Sequence, residues 1–315
     1  MIKTICFLGD SITAAGIWES EIFEKARHDQ MRFFNCGVSG GTATKALDRL
    51  YYMCLDRNPD IVSVMFGVND VKCEYYKFKE RIEGQLEAEK KEAEFKFELY
   101  KKSMWAICEK VVEAGAKLVL CTPVPFDNVT PGNKDIDLSE PLDRAVLYVK
   151  ELAAEFGAQI VDFNSEMKKY MAEEQIFEAD RIHPNEKGYR LLAEIWSKSM
   201  FDGKYTIDAN KELFICDKLK KRREIERTLH HIRLVDYCLL GYLRDKKDAN
   251  LAERIAQAEK NLEIAKCGDT ARAQAEVEWY STYIANINKL EKLEGEYTRL
   301  TIELSSPQCE KNQMH

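Results

Sequence analysis

Residues 1–15 read Met1-Ile-Lys-Thr-Ile-Cys-Phe-Leu-Gly-Asp-Ser-Ile-Thr-Ala-Ala15. Ile2–Leu8 is a short apolar run rich in β-branched and aromatic residues and closed by Gly9-Asp10-Ser11, the pattern of a buried strand. Ser11-Ile-Thr-Ala-Ala15 then reads as the start of a helix. In open α/β sheets, strand-to-helix turns at the C-terminal edge carry the chemistry. A serine in such a turn has two readings. It can simply cap the helix, or its hydroxyl can serve as a nucleophile whose own N–H helps to hold an oxyanion.

Outward from this turn, short strands alternate with helices up to about residue 202. Met31–Asn35, Pro59–Phe66, Ala116–Thr122 and Gln159–Phe163 read as further strands, each closed by Gly, Asn, Pro or Asp. Between them, helices are expected over Trp18–Gln30, around Ala46, Leu47, Leu50 and Met53, within the charged stretch Tyr75–Glu113, over Leu142–Phe156, near Ser165–Glu173 and over Glu186–Met200. This alternation predicts parallel strands, right-handed crossovers and a three-layer α/β/α sandwich over residues 1–202. From residue 203 the texture changes. After a short extended piece at Lys204–Ile207, apolar residues recur at helical spacing in three segments: Ile225–Leu243, Ile255–Ala265 and Val277–Leu304. Breaks fall at Lys246–Asn250 and Gly268-Asp269, and the tail frays from Ser305. Residues 203–315 are thus expected as a helical extension, a small bundle or long hairpin.

Composition narrows the function classes. The 315 residues include 45% hydrophobic and 32% charged residues, with no run of the roughly 18 apolar residues that a membrane span needs. Met1-Ile2-Lys3 runs directly into the first strand, so a secretory leader is not expected. The ten cysteines are scattered and form no Cys-x-x-Cys pair, which favours reduced thiols, a cytoplasmic setting and neither zinc finger nor disulfide framework. Net charge divides unevenly: residues 203–315 hold 20 Lys+Arg and 19 Asp+Glu, whereas residues 1–202 hold 27 and 35. So acidic a first part argues against nucleic acid, and the Lys218–Arg223 cluster reads as a solvated helix face.

A serine nucleophile needs a histidine base and a carboxylate that orients it. Of the five histidines, His315 is terminal, His230 and His231 lie in the helical extension, and His28 sits in a polar helix. Only His183 occupies a loop of the α/β unit, in Asp180-Arg-Ile-His-Pro-Asn185, where Asp180 can reach its Nδ1 while Nε2 faces the serine. Gly40, in Ser39-Gly-Gly-Thr42, can expose a backbone N–H, and Asn69, in Gly67-Val-Asn-Asp70, can offer a side-chain N–H. Each also has a plain turn-forming reading.

Together, Gly9-Asp10-Ser11-Ile12, Gly40 in Val-Ser-Gly-Gly-Thr, Gly67-Val-Asn69-Asp70 and Asp180-Arg-Ile-His183-Pro184 resemble the four sequence blocks of the SGNH hydrolases, also called GDSL-like lipase/acylhydrolases. The resemblance covers residues 1–202, with Ile12 where the family's name motif has leucine. It implies a flavodoxin-like fold with a five-stranded parallel sheet and a serine esterase needing no metal or organic cofactor. Ser11 matches the nucleophile, Asp180 and His183 the rest of the triad, and the Ser11 N–H, Gly40 and Asn69 the oxyanion hole. Apart from the resemblance, Asp10 is expected to hold the turn that aims Ser11, and Gly67 is expected as a second supporting residue. Gly-Asp-Ser-Ile-Thr is similar to relatives that deacetylate sugars, so a small acyl ester on a carbohydrate or similar alcohol is the expected substrate. Longer-chain lipase or thioesterase activity is the alternative. A third reading is an idle scaffold whose extension mediates binding or self-association.

Overall fold

Ile5, Cys6, Phe7 and Leu8 are wholly excluded from solvent, as a strand with paired neighbours and covered faces must be. The computed structural model describes residues 3–129, 135–211, 216–235, 251–268 and 271–306. In chain order the α/β part comprises β1 (Lys3–Gly9), α1 (Ser11–Ala14), α2 (Ile17–Ala26), β2 (Met31–Gly37), α3 (Ala43–Met53), β3 (Ile61–Met65), α4 (Val68–Val71) and α5 (Gln85–Glu113). It continues with β4 (Lys117–Cys121), α6 (Ser139–Glu155), β5 (Gln159–Val161), α7 (Phe163–Met171) and α8 (Glu186–Phe201). The sheet has the order β2-β1-β3-β4-β5, and all four pairings are parallel. Gly9 at the end of β1 lies level with Gly37 of β2 and Met65 of β3, so three loops leave the sheet side by side.

Helices cover both faces. On one, Trp18 of α2 and Trp196 of α8 pack on Phe7 of β1, with ring centroids 5.0 and 5.1 Å apart. The buried Trp196 indole N–H, which would be costly to leave unpaired, donates to Ser63 Oγ of β3 at 3.0 Å. On the other, α5 lies against α3 and α6, burying Met104, Ile107, Cys108 and Val111. The three-layer sandwich expected from the alternation is therefore present.

Local boundaries depart from expectation in places. Residues 75–84 are not helical, apart from a 3-10 turn at Glu74–Tyr76. There, Arg81 Nη2 donates to the carbonyls of Glu74, Tyr75 and Lys77, supplying the bonds that a helix would otherwise make. α6 starts at Ser139 and α7 at Phe163, each earlier than the apolar spacing alone suggests. Asp162 accounts for the second start, because its side chain caps Ser165 N at 3.0 Å. Lys204–Ile207 forms no strand: the Tyr205 carbonyl accepts from Ser197 Oγ of α8 at 2.6 Å and makes no ladder.

Beyond residue 216 lie α9 (Asp217–Val235), α10 (Leu251–Lys266) and α11 (Ala271–Leu304), with α9 and α10 both packed on α11. The expected apolar positions Leu239 and Leu243, the break at Lys246–Asn250 and the tail from residue 307 lie outside the described residues. One expectation is overturned here. The Lys218–Arg223 run is not a uniformly solvated face, because Arg222 is 0% exposed. Its Nη2 donates to Phe33 O of β2 at 2.7 Å and to Tyr297 Oη of α11 at 2.6 Å, while Nε donates to Thr301 Oγ1 at 3.0 Å. A helix presents a side chain to the core every three or four residues whatever its charge, and this arginine falls on the inward position beside Leu219, Ile225 and Glu226.

Candidate active site

At the end of β1 the chain reverses into a single turn of helix. A Cβ on Gly9 would stand 2.1 Å from Thr13 Oγ1, so α1 closes this tightly over the strand only with glycine there. The Gly9 carbonyl accepts from Val38 N at 3.1 Å and from the buried Arg49 Nη2 at 3.0 Å. Asp10 is the N-cap, its Oδ1 accepting from Ile12 N at 2.9 Å. Burial pushes the Asp10 carboxyl up to about 6, against the pull of the Ile12 N–H and of the nearby His183 and Arg49. Ser11 follows, half-buried, with its Oγ 2.8 Å from His183 Nε2.

His183 is held from behind. Its Nδ1 lies 2.5 Å from Asp180 Oδ2, while Asp180 Oδ1 accepts from the Ile182 and His183 N–H groups at 3.0 and 2.9 Å. Partial burial would raise the Asp180 carboxyl, but the bonds from His183 and Ile182 outweigh it and hold Asp180 below the ordinary carboxylate range. With Asp180 ionised, Nδ1 carries the proton and donates, which leaves Nε2 to accept from the serine hydroxyl. Arg181, between the two, adopts φ 65°, an uncommon backbone for a residue other than glycine. It is anchored in return. Its Nε donates to Asp127 O at 2.5 Å, its guanidinium lies 4.6 Å from the Phe126 ring centroid, and its carbonyl accepts from Asp127 N at 3.1 Å.

The loops after β2 and β3 join the same edge. Gly40 takes φ 65° with nothing within 4 Å of where a Cβ would stand, so its backbone borders open space. Asn69 Nδ2 donates to Gly41 O at 3.1 Å, which fixes the amide against the Gly40 loop and uses one of its two hydrogens. Gly67, with φ 146°, starts this turn, and its N–H donates to Asp70 Oδ2 at 3.1 Å. Asp70 Oδ1 accepts from Ala43 N at 2.8 Å, so one carboxylate ties the β3 loop to the start of α3. Burial pushes Asp70 up to about 7, partly countered by the N–H groups of Ala43 and Gly67.

Sequence reasoning did not single out Arg49, Asp70 or Arg181. Arg49 carried a signal, since it is a charge three residues from Ala46 on an otherwise apolar helix face. The side chains of His28, His230 and His231 and the whole of His315 lie outside the described residues. Among the described residues, one set could ligate a metal away from this edge: the buried Cys6, Cys36 and Cys54, whose Sγ atoms lie within 4.8 Å of one another. Burial raises the Cys6 thiol, and Cys36 Sγ donates to the Met53 carbonyl at 2.9 Å, as expected of neutral core thiols.

Several known proteins are similar to this chain in sequence or in fold. An acetylxylan esterase of Xylanibacter ruminicola is 30% identical over 171 residues, 51% of this chain and 34% of that protein. The chain thus spans about a third of that relative's length. A second acetylxylan esterase, from Geobacillus stearothermophilus, is 25% identical over 54% of this chain and 72% of its own length. A solved acetylxylan esterase from Geobacillus stearothermophilus superposes with TM-score 0.51 at 20% identity, covering 63% of this chain and 94% of its own. A solved gut microbial diltiazem-metabolizing enzyme shares the fold over 96% of this chain and 95% of its own, with TM-score 0.67 at 15% identity. The fold likeness in that last case therefore takes in the C-terminal helices. Residues 7–191 match the GDSL-like lipase/acylhydrolase family, and they contain the Ser11, Gly40, Asn69 and Asp180-to-His183 loops. With 185 of the 315 residues so matched, the chain belongs to the GDSL-like lipase/acylhydrolase family, in the SGNH hydrolase superfamily.

Proposed function

We propose that the protein is a serine carboxylic ester hydrolase that removes small acyl groups, acetyl foremost, from a carbohydrate or similar alcohol. The observation that carries this reading is the relay Ser11 Oγ–His183 Nε2 at 2.8 Å and His183 Nδ1–Asp180 Oδ2 at 2.5 Å. His183 takes the Ser11 proton as Oγ attacks the ester carbonyl. The resulting oxyanion is met by the Ser11 and Gly40 N–H groups and the Asn69 amide. The imidazolium, steadied by ionised Asp180, protonates the leaving alcohol, and His183 then activates the water that releases the acid and restores the serine. Support for an acetylated carbohydrate comes from the two acetylxylan esterases among the sequence relatives.

We also propose two units, a catalytic one over 1–202 and a helical extension over 203–315; the change from alternating elements to consecutive helices supports that division. A reducing, cytoplasmic setting fits the eight free cysteines among the described residues, seven of them buried.

Turnover of p-nitrophenyl esters from acetate to palmitate, beside acetylated xylo-oligosaccharides, tests the reading. Acetate should be the preferred simple ester, and Ser11→Ala should lower turnover by roughly a thousandfold or more while the circular dichroism spectrum is kept. A preference for long chains would move the protein to the lipase or thioesterase alternative. Undiminished turnover in Ser11→Ala would remove the serine mechanism altogether.

A further inference from the structure

We propose that the C-terminal helices position the nucleophile: Tyr297 of α11, through Asn35 of β2, holds the one-turn helix that carries Ser11. α1 has only four residues, too few to be stable on helical bonds alone, so its placement depends on tertiary contacts. Its carbonyl end, buried with Thr13 and Ala14, is met from β2. Thr13 O accepts from Gly16 N at 3.1 Å and from Asn35 Nδ2 at 2.6 Å. Asn35 is fixed in turn, with its Oδ1 accepting from Gly37 N at 2.8 Å and its backbone N donating to Tyr297 Oη at 3.1 Å.

Tyr297 is 3% exposed and its hydroxyl is fully used: it accepts from Asn35 N and from Arg222 Nη2 and donates to Glu226 Oε1 at 2.7 Å. Glu226 makes a second approach to the same turn. A Cβ on Gly16, two residues beyond α1, would stand 2.4 Å from Glu226 Oε2. The extension thus reaches both the carbonyl end of α1 and the link that follows it. Buried networks of this kind fix geometry, and small misplacements of a nucleophile are expensive in rate. Tyr297, Asn35, Arg222 and Glu226 are positioning residues and touch no reacting atom.

This inference rests on Ser11 being the nucleophile of the proposed esterase, and the test keeps the two claims apart. Tyr297→Phe deletes the hydroxyl and keeps the ring. Tyr280→Phe, the control, deletes a hydroxyl from the same helix, one that accepts from Asn261 Nδ2 at 3.0 Å within the extension. For each variant, kcat and KM on the acetate ester and amide hydrogen exchange of the peptide spanning residues 11–16 are measured. Tyr297→Phe should lower kcat about 10- to 100-fold with KM within about twofold, and should speed exchange at residues 12–15. Tyr280→Phe should leave both at wild-type values. Asn35→Asp, which keeps the acceptor for Gly37 N but loses the donor to Thr13 O, should behave as Tyr297→Phe does. Equal effects from Tyr297→Phe and Tyr280→Phe would overturn the proposal, as would unchanged exchange in α1. Should the wild type hydrolyse no acyl ester, the proposed function fails, and the exchange measurement alone still decides whether Tyr297 holds the turn.

Discussion

Three of the residues at the sheet edge, Ser11, Gly40 and Asn69, stand in short motifs that end strands, and that is why they are visible in the sequence. Asp180 and His183 stand instead in the loop before α8, where His183 precedes Pro184 and is the one histidine in a loop of the α/β unit. The residues that hold them were not legible in the same way. Arg49 donates to a backbone carbonyl, Asp70 bridges two loops through backbone N–H groups, and Arg181 tolerates a left-handed backbone because its side chain is pinned on Phe126 and Asp127. Such roles depend on which loop arrives from elsewhere, and no local spacing encodes that. Asn69 gives the prediction at this scale. On the proposed oxyanion-hole role, Asn69→Ala should lower kcat on the acetate ester by on the order of 100-fold, with KM little changed, because an amide in that role acts on charge that develops in the transition state. Steady-state kinetics measure the split, and a loss confined to KM would assign Asn69 to substrate binding.

At the scale of elements, strands were located closely and helix starts less so. Strands such as Ile61–Met65 announce themselves by a short run that is apolar but for Ser63, whereas a helix start is set by a cap that can precede the first apolar position. Asp162 before α7 and Asp10 before α1 are both such caps. Asp10 was expected to hold the turn that aims Ser11, and the bond from Ile12 N to its Oδ1 is a direct means of doing so. Replacing it separates cap from charge. Asp10→Asn keeps an oxygen acceptor and should unfold within a few tenths of a kcal/mol of wild type, whereas Asp10→Ala should lose about 1 kcal/mol and also activity. Urea unfolding followed by fluorescence measures the difference, and equal losses in both variants would mean that the carboxylate's charge matters more than its cap.

At the scale of the molecule, the least legible feature was the junction between the α/β unit and the extension. A run such as Lys218–Arg223 gives no hint of which member points inward; that depends on the docking of α9 and α11 against β2. The result is a buried set of Arg222, Glu226, Tyr297 and Glu19 of α2, with Arg222 Nη2 3.7 Å from Glu19 Oε1. Burial, reinforced by the charge of Glu19 and opposed by Arg222 and the Tyr297 hydroxyl, pushes Glu226 up to about 8 from an ordinary 4.5. Because the folded protein holds this proton more tightly than the unfolded chain, the associated stability is complete below about 4.5 and is lost as pH rises through about 8. The melting temperature of the wild type should therefore fall across that window relative to Glu226→Gln, which mimics the protonated form at every pH. Burial raises Asp10, Asp70 and Glu21 in the same direction, but they are common to both proteins and cancel in the difference. Parallel curves for the two proteins would exclude Glu226 as the titrating group.

β2 is the outermost strand on its side, with β1 as its single sheet neighbour. Phe33 and Asn35 stand two apart along it, so the Phe33 carbonyl and the Asn35 N–H point the same way, off the edge and away from β1. Arg222 and Tyr297 occupy those groups, in the positions where another strand would otherwise bond. An open edge is a template for strand addition and aggregation, and covering it is one of the ways proteins prevent this. The extension is therefore also a guard against self-templating. A chain ending at residue 202 should express with its sheet formed yet self-associate through β2, as light scattering that grows with concentration. Proline in place of Asn35 in that shortened chain, removing the bare N–H, should suppress the association.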